Sequence, residues 1–120
     1  MGKTIAEKII SSHAGRDVKP NDITVVDVDV VMAQDGTGPL TVSQLKKMGF
    51  DKVRNPEKSI FFIDHASPSP RKELSNSHTV LREYAGNAGM VLSEVGEGVC
   101  HQILVESFVS PGDIVIGADS

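Results

Sequence analysis

The stretch Ser59-Ile60-Phe61-Phe62-Ile63 decides the fold, because it is a short continuous apolar run that stops abruptly at Asp64. Such a run is typical of a strand that is buried on both faces, as the strands of a parallel sheet are. The proline-rich residues 66–70 that follow cannot continue a strand. After them, side chains recur at helical spacing until Gly89, at Leu74, His78, Leu81 and Tyr84/Ala85. The sequence therefore predicts a buried strand, a break, and a long helix.

The same alternation of strand and helix extends to both sides of this run. Valines alternate with Asp27 and Asp29 in the stretch Ile23–Met32, which predicts a first strand. The further predicted elements are a helix from Thr4 to Gly15, a helix from Pro39 to Gly49, strands at Met90–Leu92 and Ile114–Ile116, and a short helix or irregular segment over Val99–Glu106. Strands separated by helices predict a single α/β domain over residues 1–120, a three-layer sandwich around a mainly parallel sheet.

Composition restricts the classes of function. The 120 residues are 39% hydrophobic, which suits one compact core, and 12 Lys and Arg against 16 Asp and Glu give a net charge of −4. This balance argues against a nucleic-acid partner, which would require clustered basic surface. The single Cys100 cannot form an internal disulfide, and no apolar stretch approaches the ~20 residues of a membrane span. We therefore expect a cytoplasmic protein with no membrane partner.

Polar residues gather where the predicted strands end. In open α/β sheets, ligands bind beyond the carboxyl ends of the strands, because the loops and the helix amino termini meet there. The residues placed at this edge are Gln34 and Asp35, then Asp64 and His65, then the region of His101, then Asp119 and Ser120. A ligand site is therefore predicted at this edge of the sheet.

The neighbours Asp64 and His65 support two interpretations. A carboxylate beside an imidazole raises the imidazole pKa and fixes its orientation, which makes a proton donor near neutral pH. The alternative is a helix-capping Asp followed by a surface His, and the two residues by themselves favour this alternative. His13 and His78, on predicted helices, are interpreted as structural or solvent-facing, and Asp27 and Asp29 as the polar face of the first strand.

The sequence offers no metal-ligand set. His65, His101 and Cys100 lack paired ligand spacing, and zinc or iron–sulfur sites need three or four ligands held together. A Cys100–His101 nucleophile is conceivable, but such pairs assemble in space and not along the sequence. A small buried apolar residue is therefore the preferred interpretation of Cys100.

Four motifs together resemble the aconitase superfamily, in the order in which they occur there. They are Gln34-Asp35-Gly36-Thr37-Gly38-Pro39-Leu40, Phe62-Ile63-Asp64-His65, Gly98-Val99-Cys100-His101-Gln102 and Gly117-Ala118-Asp119-Ser120. The resemblance covers nearly the whole chain. It points to the amino-terminal part of large subunits of the 3-isopropylmalate dehydratase (isopropylmalate isomerase) and homoaconitase type. It implies the fold of the aconitase amino-terminal domain, and a chain that corresponds to the truncated beginning of a longer subunit.

The resemblance also implies a reaction. The superfamily dehydrates and rehydrates hydroxy di- or tricarboxylic acids, such as isopropylmalate or homocitrate, through an alkene. By resemblance, Gln34 and Ser120 would bind substrate, and His65 paired with Asp64 would protonate the departing hydroxyl. His101 paired with Asp119 would orient the site.

The resemblance further implies groups that this chain does not supply. The superfamily holds a [4Fe-4S] cluster through three cysteines downstream of the matching region, and Cys100 corresponds to none of them. Its base is a serine of a small (swivel) subunit or domain. We therefore expect the 120 residues to bind no cluster and to show no turnover alone. A non-catalytic α/β module that binds an anionic metabolite or a partner protein is the alternative.

Overall fold

The computed structural model describes residues 2–119, which form four α-helices, four β-strands and one short 3₁₀ turn. In chain order the elements are α1 (Ile5–Ala14), β1 (Val30–Gln34), α2 (Gly38–Lys47), the 3₁₀ turn (Pro56–Lys58), β2 (Ser59–Phe62), α3 (Lys72–Ala88), β3 (Val91–Ser93), α4 (Cys100–Ser107) and β4 (Val115–Ala118). Within residues 2–119, no helix combines the length and apolarity needed to cross a bilayer.

The four strands form one parallel sheet in the order β3-β2-β1-β4. The first two crossovers run in the same direction across the sheet, and the third runs back past β2 and β1 to the far edge. Because crossovers between parallel strands are right-handed, this reversal places the third connecting helix on the opposite face from the first two. The strand order therefore changes direction between β1 and β4, where open α/β sheets form their ligand crevice.

Two apolar clusters make the predicted three layers. On one face, α2 and α3 cover the sheet, and the buried residues are Ala33, Val42, Phe61, Ile63, Leu81, Tyr84, Ala85 and Ala88. On the other face, α4 covers Val30, Met32, Ile60 and Phe62 with Cys100 and Leu104. The neighbours Phe61 and Phe62 thus serve opposite faces, and replacing either by Ala is expected to cost about 3–5 kcal/mol. The α/β architecture and the two-sided burial of β2 are confirmed.

The glycine at the start of α2 sets the distance between the two helices on that face. A Cβ at Gly38 would lie 2.6 Å from Cδ2 of Leu81 in α3, so any side chain there would have to displace this buried leucine. Pro39 follows in the first turn, as predicted for this helix start. The segment Val99–Glu106, for which the sequence predicted a short helix or an irregular segment, is mostly helical, as α4.

The predicted first strand over Ile23–Met32 is wrong in its bounds. The ladder covers only Val30–Gln34, and residues 22–28 lie outside the sheet, in neither a helix nor a strand. Ile23 and Val25 are 94% and 93% exposed, so their apolar side chains face no neighbouring element. The β-branched alternation is not sufficient for a strand, because a strand also requires a partner, and β4 pairs with β1 only from Val30 onward.

Candidate active site

The carboxyl edge of the sheet brings together side chains from β1, β2, α4 and β4. Gln34, the last residue of β1, is buried and donates from Nε2 to Oδ1 of Asp119 at 3.4 Å. Its Oε1 accepts the backbone N–H of Gly36, where a Cβ would lie only 2.8 Å from that oxygen. The Thr37 hydroxyl donates to the carbonyl of Ala118. These contacts join the end of β1 to the end of β4, as expected where the strand order reverses.

Asp64 and His65 form a hydrogen-bonded pair just after β2. Nδ1 of His65 lies 2.7 Å from Oδ1 of Asp64, and the strand has ended, so neighbouring side chains can face each other. Oδ2 of Asp64 accepts the backbone N–H of Cys100 at 2.7 Å, at the first residue of α4. One carboxylate therefore contacts both the start of α4 and the His65 imidazole.

The ionisation of this pair follows from its surroundings. Burial raises the pKa of Asp64, but the Cys100 amide and the His65 ring outweigh it, and the pKa lies below its ordinary value. The bond to Asp64 raises the pKa of His65 against the opposing effect of desolvation, and the charges of Asp35 and Asp119 act in the same direction. The pair therefore stabilises the imidazolium of His65 beside the carboxylate of Asp64.

A second histidine–aspartate pair lies at the same edge. Nε2 of His101, in the first turn of α4, is 3.0 Å from Oδ2 of Asp119, which directly follows β4. Because Asp119 also acts on the pKa of His65, both pairs face a common region. The predicted convergence of Gln34, Asp64, His65, His101 and Asp119 is thus observed, whereas Ser120 lies outside the described residues.

A cation could in principle be held by Asp64, His65 and Cys100, whose ligand atoms lie within 4.8 Å of one another. Burial, with the Asp64 carboxylate beside it, raises the pKa of the Cys100 thiol to about 11, so the thiol would have to release its proton to bind a cation. A [4Fe-4S] cluster needs three or four thiolates, and the sequence has one cysteine. The donor set therefore does not fit a cluster within this chain.

Two further residues belong to the same network: Asp35, which the sequence places at this edge without a specific role, and His78, which it interprets as structural or solvent-facing. Asp35, whose side chain is 1% exposed, accepts the backbone N–H groups of His65 and Ala66. Its Oδ2 also contacts Nε2 of His78, which is buried and not solvent-facing. The available signal was a histidine within the apolar stripe of α3, because a buried imidazole needs a polar partner.

The model of the aconitase family (aconitate hydratase) matches residues 7–120 of the chain. The chain is 63% identical over its full length to the 3-isopropylmalate dehydratase large subunit of Elusimicrobium minutum. It is 56% identical to 3-isopropylmalate dehydratase large subunit 1 of Thermotoga maritima, and 48% identical to large subunit 2 of Archaeoglobus fulgidus. It spans only 28–29% of the length of these relatives. On the match over residues 7–120, the chain belongs to the aconitase family.

Proposed function

We propose that the chain supplies the proton-donor half of a 3-isopropylmalate dehydratase-type hydro-lyase, which isomerises a hydroxy di- or tricarboxylic acid by dehydration and rehydration. The observation that carries the proposal is the convergence of two histidine–aspartate pairs at the edge where the strand order reverses. The identity to dehydratase large subunits over the full chain supports the same reaction class.

His65 is proposed as the acid of the dehydration. Hydroxide is a poor leaving group, so the C–O bond breaks only if the oxygen receives a proton and departs as water. Asp64 occupies Nδ1, which directs Nε2 of the half-exposed ring toward a ligand. A base removes the proton from the adjacent carbon, the C=C bond forms, and rehydration reverses these steps at the other carbon. His65 then takes the proton back from water.

Gln34 and the His101–Asp119 pair are proposed to bind and orient the substrate. Asp119 fixes His101 through Nε2, while the same carboxylate receives the amide of Gln34. A substrate hydroxyl or carboxylate at this edge would meet a preorganised set of donors, which lowers the entropic cost of alignment. Ser120, next in the chain, is proposed to contact the substrate as well.

The remaining groups are proposed to come from outside these 120 residues. A [4Fe-4S] cluster, when bound in the longer protein, would supply a Lewis acid for the departing hydroxyl. The relatives are named as large subunits, so a small subunit is the proposed partner and the proposed source of the base. The chain alone is proposed to be inactive, and a reducing cytoplasmic setting is proposed from its single cysteine.

The test uses a longer protein that contains this chain, prepared without oxygen together with its small subunit. We expect isopropylmalate or homocitrate to yield an alkene with a rising ultraviolet absorbance, and the 120-residue chain assayed identically to yield none. If the assembled protein forms no alkene from any hydroxy acid but still binds such acids, the reaction is excluded and the binding-module alternative holds.

A further inference from the structure

We propose that Asp35 and His78 are positioning residues, which clamp the backbone of residues 65–66 and thereby set the orientation of the His65 ring against Asp64. The inference rests on the proposed function only where it names His65 as the acid. The clamp itself is a claim about the structure of the chain, and it can be tested without turnover.

The clamp is a buried carboxylate with several donors. Oδ1 of Asp35 accepts the N–H of His65 at 3.1 Å, and Oδ2 accepts the N–H of Ala66 at 2.7 Å. Nε2 of His78 lies 3.2 Å from the same Oδ2. Because an ionised carboxylate can only accept, His78 is the donor in this contact. Both carboxylate oxygens of Asp35 thus accept hydrogen bonds that hold the carboxylate in place.

These hydrogen bonds join three segments beyond the last paired residues of β1 and β2, where the sheet's own hydrogen bonds have ended. Asp35 follows β1, residues 65 and 66 follow β2, and His78 lies in the second turn of α3. A carboxylate with 1% of its side chain exposed is costly to bury unless its partners are correctly placed. The three partners therefore constrain one another, and the loop after β2 has one favoured backbone path.

The consequence for His65 is one of orientation. Nδ1 of its ring lies 2.7 Å from Asp64 but 3.6 Å from Oδ1 of Asp35, so two carboxylates compete for one nitrogen. By holding the His65 backbone amide, Asp35 keeps the ring where Nδ1 is within hydrogen-bond distance of Asp64 and beyond that distance from Asp35. Without the clamp, the ring has no fixed choice between the two acceptors.

The decisive experiment is nuclear magnetic resonance of the 120-residue chain with 15N-labelled histidine. In the unaltered chain we expect the neutral His65 ring to carry its proton on Nδ1, and the Ala66 amide to exchange slowly with solvent. In His78→Leu we expect the tautomer preference to be lost and Ala66 exchange to rise at least ten-fold. In His78→Gln, whose amide can still donate to Asp35, both properties should return to within about two-fold of the unaltered chain.

His13→Gln is the matched control, because His13 lies on α1 and contacts Asp29 and not this network. It should leave both signals of the clamp unchanged. If a folded His78→Leu keeps the tautomer and the slow Ala66 amide, the proposal is overturned. Should His78→Leu not fold, His78→Asn, which is too short to reach Asp35, takes its place. An Ala66 amide that exchanges in the unaltered chain like an exposed loop amide also overturns it.

These outcomes are separate from the proposed function. Loss of the His65 tautomer in His78→Leu supports the clamp even if the longer protein forms no alkene. Conversely, if the longer protein is an active dehydratase but the His65 signals do not change in His78→Leu, the proposed function is supported and the clamp is overturned.

Discussion

Two histidine–aspartate pairs at opposite ends of the sheet have similar local electrostatics and different surroundings. At the amino end, Nε2 of His13 contacts Asp29 at 2.5 Å, and Nδ1 contacts the carbonyl of Ile9 at 2.8 Å. At the carboxyl end, Asp64 occupies one nitrogen of His65 and leaves the other to a ligand. Both histidines have raised pKa values. A paired histidine becomes a candidate acid only when one nitrogen stays accessible, so the pKa direction alone does not identify a site.

The largest effect is expected when the two histidines of this comparison, His65 and His13, are replaced in turn and the activities are compared. In the assembled longer protein, His65→Asn is expected to lower kcat by about 10²–10⁴-fold, because general acid catalysis contributes in that range. His13→Asn, the matched control, should leave kcat unchanged and lower the melting temperature. Steady-state kinetics and thermal melts monitored by circular dichroism measure both. Equal losses of activity in the two variants would refute the assignment of His65.

The second prediction concerns the carboxylate that holds His65. Asp64→Asn removes the main cause of the raised His65 pKa, so that pKa should fall toward 6.5. The alkaline limb of the pH–rate profile, where the acid loses its proton, should move to lower pH with it. Since Asp64 also caps α4, a stability loss of about 1 kcal/mol is expected. A His65 titration that does not move in this variant would contradict the pairing.

The third prediction concerns the pair His13 and Asp29 at the amino end of the sheet, through which the stability of the chain should depend on pH. The Ile9 carbonyl and Asp29 raise the pKa of His13, so its contribution to stability is full below 6.5 and is lost as pH rises through the raised value. The Ile114 amide and His13 lower the pKa of Asp29, so its contribution is full above 3.8 and is lost at lower pH. The melting-temperature difference between the unaltered chain and His13→Gln should therefore be largest between pH 3.8 and 6.5. A constant difference from pH 3 to 9 would contradict the pairing.

The smallest effect is expected at Asp27, two residues before Asp29. Within residues 2–119, Asp27 forms an ion pair with Arg54, and both side chains are about 80% exposed. Exposed pairs of this kind contribute little to stability. Asp27→Asn should therefore leave the melting temperature almost unchanged, whereas Asp29→Asn should lower it. Equal shifts would mean that Asp29 does not anchor the amino end of the sheet.

The sequence predicted the parts of the fold that depend on local pattern. The double-sided burial of β2, the start of α2 near Pro39 and the glycine ends of α1 and α3 follow from short-range chemistry. The extent of β1, by contrast, does not follow from short-range chemistry. The stretches Val18–Val25 and Val109–Ile116 share a Val-x-Pro-x-Asp-Ile pattern and fold into the same turn, in which the residue after proline has φ of 74° or 92°. Only the second leads directly into a strand, because β1 is available as its partner.

In the site too, contacts between sequence neighbours could be predicted, whereas contacts between distant residues could not be predicted from local spacing. Asp64 and His65 are sequence neighbours at a strand end, and the motif resemblance supplied the pairing of His101 with Asp119. The partner of His78, by contrast, is 43 residues away, and no local spacing reveals it. The role of Asp35 therefore required the three-dimensional arrangement.

The position of β4 has a consequence for how the protein is made. β4 pairs with β1, and the contact from Gln34 to Asp119 closes 85 residues of chain. During synthesis on the ribosome, the nascent chain can form β1, β2 and β3 while one side of β1 has no neighbour. Until residues 115–118 emerge, that open edge can be captured by another polypeptide, so β4 both completes the crevice and covers the exposed edge of β1.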